Sequence, residues 1–456
     1  MAGPGAILDV HALVRELGER FADAGHALYL VGGNVRDAFL QRGHEDFDLA
    51  TDAHPQDTLK VLRGWSDRQY LQGVRFGTVG ALKDGHVLEI TTFRQEVYPE
   101  DERKPGVTFA RDIETDLSRR DFTINAMAVR LPDGEFIDPF GGVKDLAGKH
   151  IDTPLDPEVS FSDDPLRMLR AARFASALGF VPAPRVIEAM TAMRERLQIV
   201  SAERIQAEMD KLLAGQHVKN GLRLIVETGL AELFLPEVPA LRLEQDPVHR
   251  HKDVLEHTYA VVERCQPDPV LRMAALLHDI GKPATREITD EGVQFHHHEV
   301  VGARMARARL AELRYPTAVI DDVGTLVELH LRFHSYEDWS DGAVRRYVRD
   351  AGHLLDFLNQ LTRADCTTRN AARAKRFAQL QDELEERIAS LAEQENLDAL
   401  RPPLDGNQVM ELLGLAPGPQ VGEALDYLME HRLERGPIPA DEAEALLRGW
   451  AAERGL

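Results

Sequence analysis

Residues 29–51 read Tyr29-Leu-Val-Gly-Gly-Asn-Val-Arg-Asp-Ala-Phe-Leu-Gln-Arg-Gly-His-Glu-Asp-Phe-Asp-Leu-Ala-Thr51, which joins an apolar run, a glycine pair and two closely spaced carboxylates. The apolar run from Leu28 to Val31 predicts a buried strand. Gly32 and Gly33 allow the backbone to turn tightly into a short helix. Backbone N–H groups at the start of such a helix can approach a phosphate, so both glycines are candidate nucleotide-binding residues.

Two aspartates, Asp46 and Asp48, lie two positions apart in this stretch. Residues i and i+2 of a strand point to the same face, so both carboxylates can hold divalent cations while Phe47 and Leu49 enter the core. Oxygen ligands of this kind bind Mg²⁺ together with substrate phosphates, as two-metal phosphoryl transfer requires. Either motif alone more often marks a turn or a solvated edge, but their combination favours a catalytic metal site.

A third carboxylate, Glu89, interrupts the otherwise apolar segment Val87–Ile90. On a strand near the aspartates it could complete the catalytic metal set. A charge on an edge strand is the equally supported alternative. Just downstream, the charged and proline-containing segment Gln95–Gly106 predicts a mobile loop.

The composition is that of a globular protein with an acidic balance. The chain has 456 residues, with 54 Lys and Arg against 76 Asp and Glu, a formal net charge of −22. Its length predicts three or four domains, and its charge argues against indiscriminate binding along nucleic acid, so any RNA contact should be a local basic patch. The two cysteines, Cys265 and Cys366, are too few for a disulfide framework, and we expect them to be reduced. The sequence predicts no membrane span and no secretion, which makes the cytoplasm the expected compartment.

The segment Ser118–Ala128 has a dense polar head that runs into apolar residues, which predicts the start of a helix. Arg119 and Arg120 can neutralise a triphosphate, while Asp121 and Asn125 carry donors and acceptors suited to a ribose. For Asp121, an N-terminal helix cap is the competing interpretation.

Long helical patterns begin near Pro154, where the strand signals stop. Asp164 and Arg167 lie at i and i+3 at a helix start, so they can face a flat partner together. The Watson–Crick edges of cytosine and adenine both show a ring-nitrogen acceptor beside an amine donor, so an Arg and an Asp together would admit CTP and ATP and reject GTP and UTP. The default alternative for this spacing is a surface ion pair. Further arginines assigned to the same nucleotide site are Arg36, Arg170 and Arg173.

Four motifs together resemble those of bacterial tRNA nucleotidyltransferases of the class II CCA-adding type, within the DNA polymerase β nucleotidyltransferase superfamily. They cover roughly residues 26 to 215. The motifs are Leu30–Asp37 with Asp46 and Asp48, Arg119–Ala126, Asp163–Arg167, and Ser201–Ile205.

This resemblance implies a head with a mixed sheet, a helical neck that holds Asp164 and Arg167, and helical domains that grip the acceptor arm of tRNA. One departure is Asp163, which stands where the family usually has Glu before the templating Asp. The segment Gln95–Gly106 corresponds to the family's flexible loop. Members restricted to adding CC have shortened it, and its near-full length here implies a capacity to add the terminal A.

A second set of residues resembles the ligands of the HD phosphohydrolase superfamily. These residues are His257, the adjacent pair His278 and Asp279, and Asp365. Imidazole and carboxylate ligands on separate helices suit a divalent metal such as Mn²⁺, Ni²⁺, Mg²⁺ or Zn²⁺, and His298 and His330 could hold a second ion. A lone histidine is more often a core residue, but the ordered set favours a metal site. The resemblance implies phosphatase or 2′,3′-cyclic phosphodiesterase activity, or a domain that serves as a scaffold.

The predicted fold is α+β, with a mixed-sheet head followed by all-helical domains. The expected domains are a nucleotidyltransferase catalytic head (1–150), a helical neck and body with the templating helix (151–245), an HD metal-binding helical domain (246–370) and a helical tail (371–456). The segment Leu404–Gly422 predicts two helices joined by a Gly-Pro turn, which either contact tRNA or cap the bundle.

The expected reaction adds CMP, AMP or both from CTP and ATP to the 3′ end of tRNA. In it, Asp46 and Asp48 hold two Mg²⁺ ions, one to lower the pKa of the terminal hydroxyl and one to neutralise the leaving triphosphate. Rival interpretations are a poly(A) polymerase with the same head motifs, an HD phosphohydrolase whose head only senses nucleotide, and a non-catalytic RNA-binding protein, against which the carboxylate pair argues. The sequence predicts no oligomeric state.

Overall fold

The computed structural model describes residues 11–456, except residues 44–45, 72, 75–76, 98–105, 111, 244–252, 290–291, 367–369 and 396–399. The chain divides into two compact units, Met1–Phe234 and Leu235–Leu456. The finer partition at residues 150, 245 and 370 stays a prediction. Every helix in the described ranges is too short or too polar to cross a lipid bilayer.

The first unit is built on a mixed seven-stranded sheet with the order β3-β4-β5-β2-β1-β8-β9. Strands β2 and β5 run parallel, and the other neighbours are antiparallel. The predicted mixed sheet is therefore confirmed. The strands of this unit are Leu28–Val31 (β1), Asp46–Thr51 (β2), Arg68–Tyr70 (β3), Thr78–Lys83 (β4), His86–Thr92 (β5), Arg94–Val97 (β6), Gly106–Phe109 (β7), Ala128–Leu131 (β8), Phe136–Ile137 (β9), His150–Ile151 (β10) and Val181–Pro182 (β11).

The centre of the sheet follows the predicted burial pattern. All four residues of β1 are buried between β2 and β8. In β2, Phe47 and Leu49 are buried while Asp46 and Asp48 are exposed on the opposite face. Glu89 lies on β5, an interior strand between β4 and β2, so the interpretation of Glu89 as an edge-strand charge is wrong.

Helices surround this sheet and continue beyond it. Helix α7 contributes an almost fully buried set of residues from Leu166 to Ala175 and packs against α9 and α10. The helices of the first unit are Ala12–Asp23 (α1), Gly33–Phe39 (α2), Pro55–Leu62 (α3), Ile113–Ser118 (α4), Gly142–Gly148 (α5), Pro157–Asp163 (α6), Leu166–Leu178 (α7), Pro184–Met193 (α8), Ala202–Leu213 (α9), Val218–Glu227 (α10) and Ala231–Phe234 (α11), with 3₁₀ turns at Thr123–Asn125 and Arg194–Ile199.

The helix predicted to start within Ser118–Ala128 is wrong. Helix α4 ends at Ser118, a single 3₁₀ turn follows at Thr123–Asn125, and Ala128 begins β8. The side chain of Asp121 accepts hydrogen bonds from the backbone N–H of Phe122 and from the Asn125 amide. Such local side-chain bonds compete with helix formation, and the apolar residues enter the sheet core instead.

The prediction of a mobile loop over Gln95–Gly106 is wrong at both ends of the segment. Strands β6 and β7 pair antiparallel there, with Arg94 opposite Phe109 and Val97 opposite Gly106. Residues 98–105 lie outside the described residues.

The second unit is mainly helical, and helix α13 lies at its centre against α12, α15 and α17. Residues Leu271–Leu277 of α13 are all buried. The helices are Val254–Arg264 (α12), Pro269–Leu277 (α13), His298–Glu312 (α14), Thr317–Leu329 (α15), Asp341–Ala351 (α16), Leu355–Asp365 (α17), Ala371–Glu395 (α18), Gly406–Leu413 (α19), Pro419–Arg435 (α20) and Ala440–Arg454 (α21), with 3₁₀ turns at Pro239–Leu241, Arg332–Asp338 and Gly352–Leu354.

The prediction that strands stop near Pro154 is wrong. Strands β10 and β11 form a two-residue parallel pair, and Arg286–Thr289 (β12) pairs with Gly292–Phe295 (β13) in a hairpin of the second unit. Segments this short show too few alternations to stand out from a helical pattern. The tail follows its prediction, since α19 ends at Gly414 in the left-handed conformation and α20 begins at Pro419.

Candidate active sites

A polar cavity of about 470 Å³ opens on the sheet of the first unit and collects most of the predicted site residues. Its volume is within the usual range of ligand sites, roughly 300 to 1,000 Å³. The lining residues are Val31, Asp48, Leu49, Glu89, Thr91, Arg94, Arg119, Arg120, Asp121, Asp164, Arg167 and Arg170.

Asp48 and Glu89 form the acidic wall of this cavity, and Asp46 lies next to Asp48 on the strand but outside the lining. The parallel register places Asp48 directly opposite Glu89, and Asp46 lies two residues away on the same face of β2. Burial raises the pKa of Glu89, and the charges of Asp48 and Asp46 raise it further. A bound cation would relieve the repulsion between these carboxylates, and their oxygen atoms are suitable ligands for Mg²⁺.

The aspartates are positioned by Asn34, a buried residue that the sequence argument did not single out. The Asn34 amide donates to the backbone carbonyl of Asp46 at 2.6 Å, and its oxygen accepts from the backbone N–H of Asp48 at 2.7 Å. One side chain therefore holds the backbone on both sides of Phe47. The available signal was its place next to the glycine pair in the quoted stretch.

Gly32 occupies a confined point between the two walls of the cavity. Its φ of +68° lies in the left-handed region, which favours glycine. A Cβ there would approach Nη1 of Arg120 to 2.9 Å and Oδ2 of Asp48 to 3.9 Å. Gly33 then begins α2, as the turn into a helix requires.

The arginine pair is anchored by Asp116, another residue that sequence reasoning missed. Nη2 of Arg119 lies 3.1 Å from Oδ1 of Asp116, and Nη2 of Arg120 lies 3.2 Å from Oδ2. The backbone N–H of Arg94 also donates to this carboxylate. Burial would raise the pKa of Asp116, but the charges of Arg120 and Arg119 outweigh it and hold the pKa below its ordinary value. The i, i+3 and i, i+4 spacing of Asp116, Arg119 and Arg120 was the signal.

Asp121 joins a hydrogen-bond network across three elements, so the helix-cap interpretation of this residue is wrong. Arg170 on α7 approaches Oδ2 of Asp121 to 2.6 Å, and the Asn125 amide donates to Oδ1 at 2.9 Å. Arg36 on α2 donates to the Asn125 oxygen at 2.6 Å and also pairs with Asp37. Arg36 thus orients Asn125, which in turn donates to Asp121.

The structure places Arg173 outside the cavity lining. Its Nη1 lies 3.3 Å from Oε2 of Glu208 on α9, and its guanidinium lies 4.3 Å from the centre of the Phe174 ring. These contacts bind α7 to α9, which gives Arg173 a structural part in the site. Its assignment to nucleotide binding stays a prediction.

Asp164 and Arg167 both line the cavity, but they are held by different partners. Arg167 is buried and donates to the Ser160 hydroxyl at 2.9 Å and to the carbonyl of Arg119 at 2.5 Å. Asp164 accepts from Arg204 at 2.7 Å. Asp164 thus forms an ion pair with Arg204 on α9, and this contact orients its carboxylate.

A second polar cluster lies in the Leu235–Leu456 unit and brings together the four predicted metal ligands. Nε2 of His257 lies 2.9 Å from Oδ1 of Asp365 and 3.3 Å from Nε2 of His278. Nε2 of His278 lies 3.2 Å from Oδ2 of Asp279. The ligand atoms of His257, His278 and Asp279 all lie within 4.8 Å of one another.

Asp279 also joins a second triad with His298 and His330, with ligand atoms again within 4.8 Å of one another. All three residues are buried. Nε2 of His298 lies 3.4 Å from Oδ1 of Asp279, and Nε2 of His330 is buried with no hydrogen-bond partner among the described residues. Burial and the charge of His278 lower the pKa of His330 to about 3, so its ring is neutral at pH 7.

Three of these histidines are oriented in the same way. Nδ1 bonds the carbonyl three residues earlier: Ala275 for His278 at 2.7 Å, Phe295 for His298 at 2.9 Å and Val327 for His330 at 2.6 Å. This fixes the proton on Nδ1 and turns the Nε2 lone pair inward, the arrangement typical of metal-ligating histidines. The residues of the cluster therefore fit divalent metal.

Three family models match the chain. The model described as Poly A polymerase head domain matches residues 28–152, and the one described as Probable RNA and SrmB-binding site of polymerase A matches residues 179–241. The third, HD domain, matches residues 254–394.

Curated relatives match over different lengths. A CCA-adding enzyme of Anoxybacillus flavithermus is 44% identical over 221 residues, 48% of this chain and 54% of that protein. The chain thus spans about half the length of several of the curated relatives it matches. An A-adding tRNA nucleotidyltransferase of Deinococcus radiodurans is 36% identical over 446 residues, 93% of this chain and 95% of that protein. Among solved structures, the chain is similar to the crystal structure of the Bacillus stearothermophilus CCA-adding enzyme in complex with CTP. The match covers 100% of both chains, with 27% sequence identity and a TM-score of 0.72.

Replacing Asp116 tests the anchoring of the arginine pair. In Asp116→Asn, two partly buried guanidinium groups lose their counter-charge, and we expect the free energy of unfolding at pH 7 to fall by about 2 kcal/mol. Because the folded-state pKa of Asp116 is depressed, its contribution is present above about pH 4 and is lost as the pH falls through that pKa. Urea unfolding of both proteins should therefore show a constant difference from pH 7 to pH 5 that closes in more acid solution.

The matched control is Glu114→Gln on the exposed face of the same helix, α4. It should change the free energy of unfolding by less than about 0.5 kcal/mol. Equal stability of Asp116→Asn and wild type at pH 7 would contradict the anchoring role.

Proposed function

Because this chain belongs to the tRNA nucleotidyltransferase family, we propose that it adds nucleotides from CTP, ATP or both to the 3′ end of tRNA and releases pyrophosphate. One observation carries the proposal. The carboxylates Asp48 and Glu89, the arginine pair, and the Asp164 and Arg167 side chains all line one cavity. A nucleotide held there would meet groups for its phosphates, its base and the reacting atoms at once. A tRNA substrate makes the cytoplasm the expected compartment.

The acidic wall serves the reacting phosphorus. Asp46 and Asp48, with Glu89 beside them, would hold Mg²⁺, which supplies charge neutralisation on the triphosphate and lowers the pKa of the attacking hydroxyl. Asn34 fixes the backbone of both aspartates, so the carboxylates do not reorganise during the reaction.

The basic wall serves the triphosphate and ribose. Arg119 and Arg120, fixed by Asp116, present guanidinium groups to the cavity. Charge-assisted hydrogen bonds from such groups to phosphate oxygens are among the strongest in proteins. Asp121 lines the same cavity and is held by Arg170 and Asn125. Its carboxylate would accept a hydrogen bond from a ribose hydroxyl.

Asp164 and Arg167 retain the hydrogen-bonding capacity that a template needs. Arg167 uses one hydrogen on each of two nitrogens for Ser160 and the Arg119 carbonyl, and an arginine has five donors. Asp164 accepts from Arg204 on Oδ2 and from the backbone of Leu166 on Oδ1, while a carboxylate offers about four lone-pair sites. The pair can donate to a ring nitrogen and accept from an exocyclic amine, the pattern shared by cytosine and adenine.

Asp164 and Arg167 alone do not decide between CCA addition and A addition, because cytosine and adenine both match their hydrogen-bonding pattern. Several relatives that match over about half their length are named CCA-adding enzymes, while one relative that matches nearly end to end is named an A-adding tRNA nucleotidyltransferase. Acceptors that end at different positions therefore distinguish the two activities.

A second candidate function belongs to the Leu235–Leu456 unit: hydrolysis of a phosphate ester, such as a terminal or 2′,3′-cyclic phosphate on RNA. The observation that favours it is the cluster of inward-turned imidazoles around Asp279. His257, His278, Asp279 and Asp365 would hold one divalent ion, such as Mn²⁺, Ni²⁺ or Mg²⁺, and His298 and His330 share Asp279 for a second. Such metals supply an activated water and a Lewis acid at the phosphate. Lys282, 2.7 Å from Asp279, adds a positive charge beside the cluster.

The nucleotidyltransferase proposal is tested by Asp48→Asn. Removing one carboxylate of the metal set should lower incorporation of labelled CMP or AMP by roughly a thousandfold or more. The acceptors are tRNA ending at the discriminator base, at CC and at CCA, each with CTP and ATP separately. Asp57→Asn, a partly exposed aspartate on α3 that is not among the lining residues, is the matched control and should keep full activity. Retained incorporation by Asp48→Asn would overturn the assignment, and extension of generic RNA by ATP alone would favour a poly(A) polymerase.

The template is tested by Asp164→Ala. Loss of the acceptor for the exocyclic amine should lower the preference for ATP or CTP over GTP, measured as a ratio of kcat/KM values, by about tenfold or more. Glu158→Ala, on the exposed face of the preceding helix α6, should leave the ratio unchanged. An unchanged ratio in Asp164→Ala would remove the template role.

The second function is tested by Asp279→Asn. We expect wild-type protein treated with a chelator and then equilibrated with Mn²⁺ or Ni²⁺ to retain the metal on gel filtration and to hydrolyse 2′,3′-cyclic AMP. The variant should lose both while it keeps nucleotide incorporation, because the cluster lies in the other unit. Asp321→Asn, an exposed residue of α15, is the control. Bound metal without hydrolysis would make the unit a scaffold, and no bound metal would contradict the site.

A further inference from the structure

A second cavity of about 510 Å³ adjoins the nucleotide cavity within the Met1–Phe234 unit. The two cavities share Glu89 and Arg94. The second is lined by Tyr70, Gly73, Thr78, Gly80, Val87, Glu89 and Arg94. Tyr70 on β3 and Thr78 and Gly80 on β4 place it on the β4 side of Glu89, whereas Asp48 lies on the β2 side.

One row of the sheet connects this cavity to the catalytic carboxylates. Tyr70 on β3 is opposite Gly80 on β4, Gly80 is opposite Glu89 on β5, and Glu89 is opposite Asp48 on β2. Residues directly opposite one another in a sheet point to the same face. Three strand spacings separate the two ends of the row, so Tyr70 and Asp48 stand roughly 14 Å apart.

The glycine in this row leaves room for the side chain of Tyr70 on the neighbouring strand. A Cβ at Gly80 would lie only 3.2 Å from Cβ of Tyr70 and 3.4 Å from its Cδ2. The Tyr70 side chain packs over the bare backbone of Gly80, and the residue is 38% exposed. An exposed aromatic ring beside an open cavity is a surface on which a nucleic-acid base can stack.

Arg94 stands at the border of the two cavities. Its Nη2 donates to the Thr78 hydroxyl at 2.9 Å, and that hydroxyl lies 3.0 Å from the hydroxyl of Thr91. Its backbone N–H is bound to the buried Asp116. The guanidinium is thus held where it can contact a phosphate bound in either cavity.

We propose that the cavity between Tyr70 and Glu89 binds the 3′-terminal nucleoside of a single-stranded RNA end, the acceptor of the reaction. Its base stacks on Tyr70, its terminal hydroxyl faces Asp48 and Glu89, and Arg94 contacts the adjoining phosphate. The inference rests on the proposed nucleotidyltransferase function, in which the acceptor and the incoming nucleotide must meet at the carboxylates from different sides.

Stacking on an aromatic ring suits this acceptor for a further reason. When nucleotides are added one after another, the terminal base of the acceptor changes at each step. Base–aromatic stacking tolerates any base, since every base has a π face. Tyr70 therefore holds the end in place without reading its sequence, while Asp164 and Arg167 select the incoming nucleotide.

The test compares Tyr70→Ala, Tyr70→Phe and Leu71→Ala in steady-state assays that vary tRNA and nucleotide separately. Tyr70→Ala should raise KM for the tRNA acceptor about tenfold and leave KM for CTP and ATP within about twofold. Tyr70→Phe keeps the ring and should restore the wild-type KM. Leu71→Ala is the matched control, because Leu71 is the next residue, is 59% exposed and is not among the lining residues.

A binding measurement separates this proposal from the activity itself. Fluorescence anisotropy with a labelled RNA oligonucleotide ending in CC should show about tenfold weaker binding for Tyr70→Ala than for wild type and Leu71→Ala. A wild type that binds in this pattern but incorporates nothing would overturn the proposed function alone. Unchanged acceptor KM and unchanged RNA binding in Tyr70→Ala, or a matching rise in KM for nucleotide, would overturn the acceptor site.

Discussion

The parallel pairing of β2 with β5 is the constraint on which the first unit depends, because it sets the carboxylates of Asp48 and Glu89 directly opposite each other. Like charges opposed across a sheet destabilise it, and the charges of Asp48 and Asp46 add to the effect of burial in raising the pKa of Glu89. The arginines Arg119, Arg120, Arg167 and Arg170 line the same cavity as these carboxylates. The site thus combines acidic and basic groups, and in the proposed function a cation-bound triphosphate satisfies both.

The two walls are assembled by buried polar residues that touch neither nucleotide nor metal in the proposed function. Asn34 holds the acidic strand through its backbone, and Asp116 holds the arginines through their side chains. Both contacts are between fully or partly buried groups, so losing either partner leaves the other uncompensated. The precision of the site therefore depends on these supporting residues as much as on the predicted ones.

The sequence predicts the parts of this site that follow from local periodicity. The alternation of Asp46, Phe47, Asp48 and Leu49 is visible in four residues, and the structure buries the two apolar members as expected. It does not show which strands become neighbours, so the position of Glu89 stays undetermined until the topology is known. Local spacing also misleads: helical spacing pairs Asp164 with Arg167, whereas the structure pairs it with Arg204, 40 residues away.

The same distinction applies to the second unit. The order of His257, His278, Asp279 and Asp365 along the chain predicts a shared cluster through family resemblance, and the structure brings all four together. The orientation of the rings was not predictable, because the Nδ1 bonds of His278 and His330 require the carbonyls at the ends of helices α13 and α15. A hairpin whose strands have four residues each, such as β12–β13, likewise leaves too short a pattern to recognise.

The hydrogen bond from Arg167 to the backbone carbonyl of Arg119 joins the side chain proposed to contact the base to the segment that carries the arginines proposed to bind the triphosphate. A guanidinium with two anchors cannot be exchanged for another donor without releasing that segment. In the proposed function, base selection and triphosphate binding are therefore coupled through this hydrogen bond. A variant that accepts GTP or UTP would then have to change its base contacts and its triphosphate contacts together. Variants that change only one of them would be poor enzymes, which keeps the range of accepted nucleotides narrow.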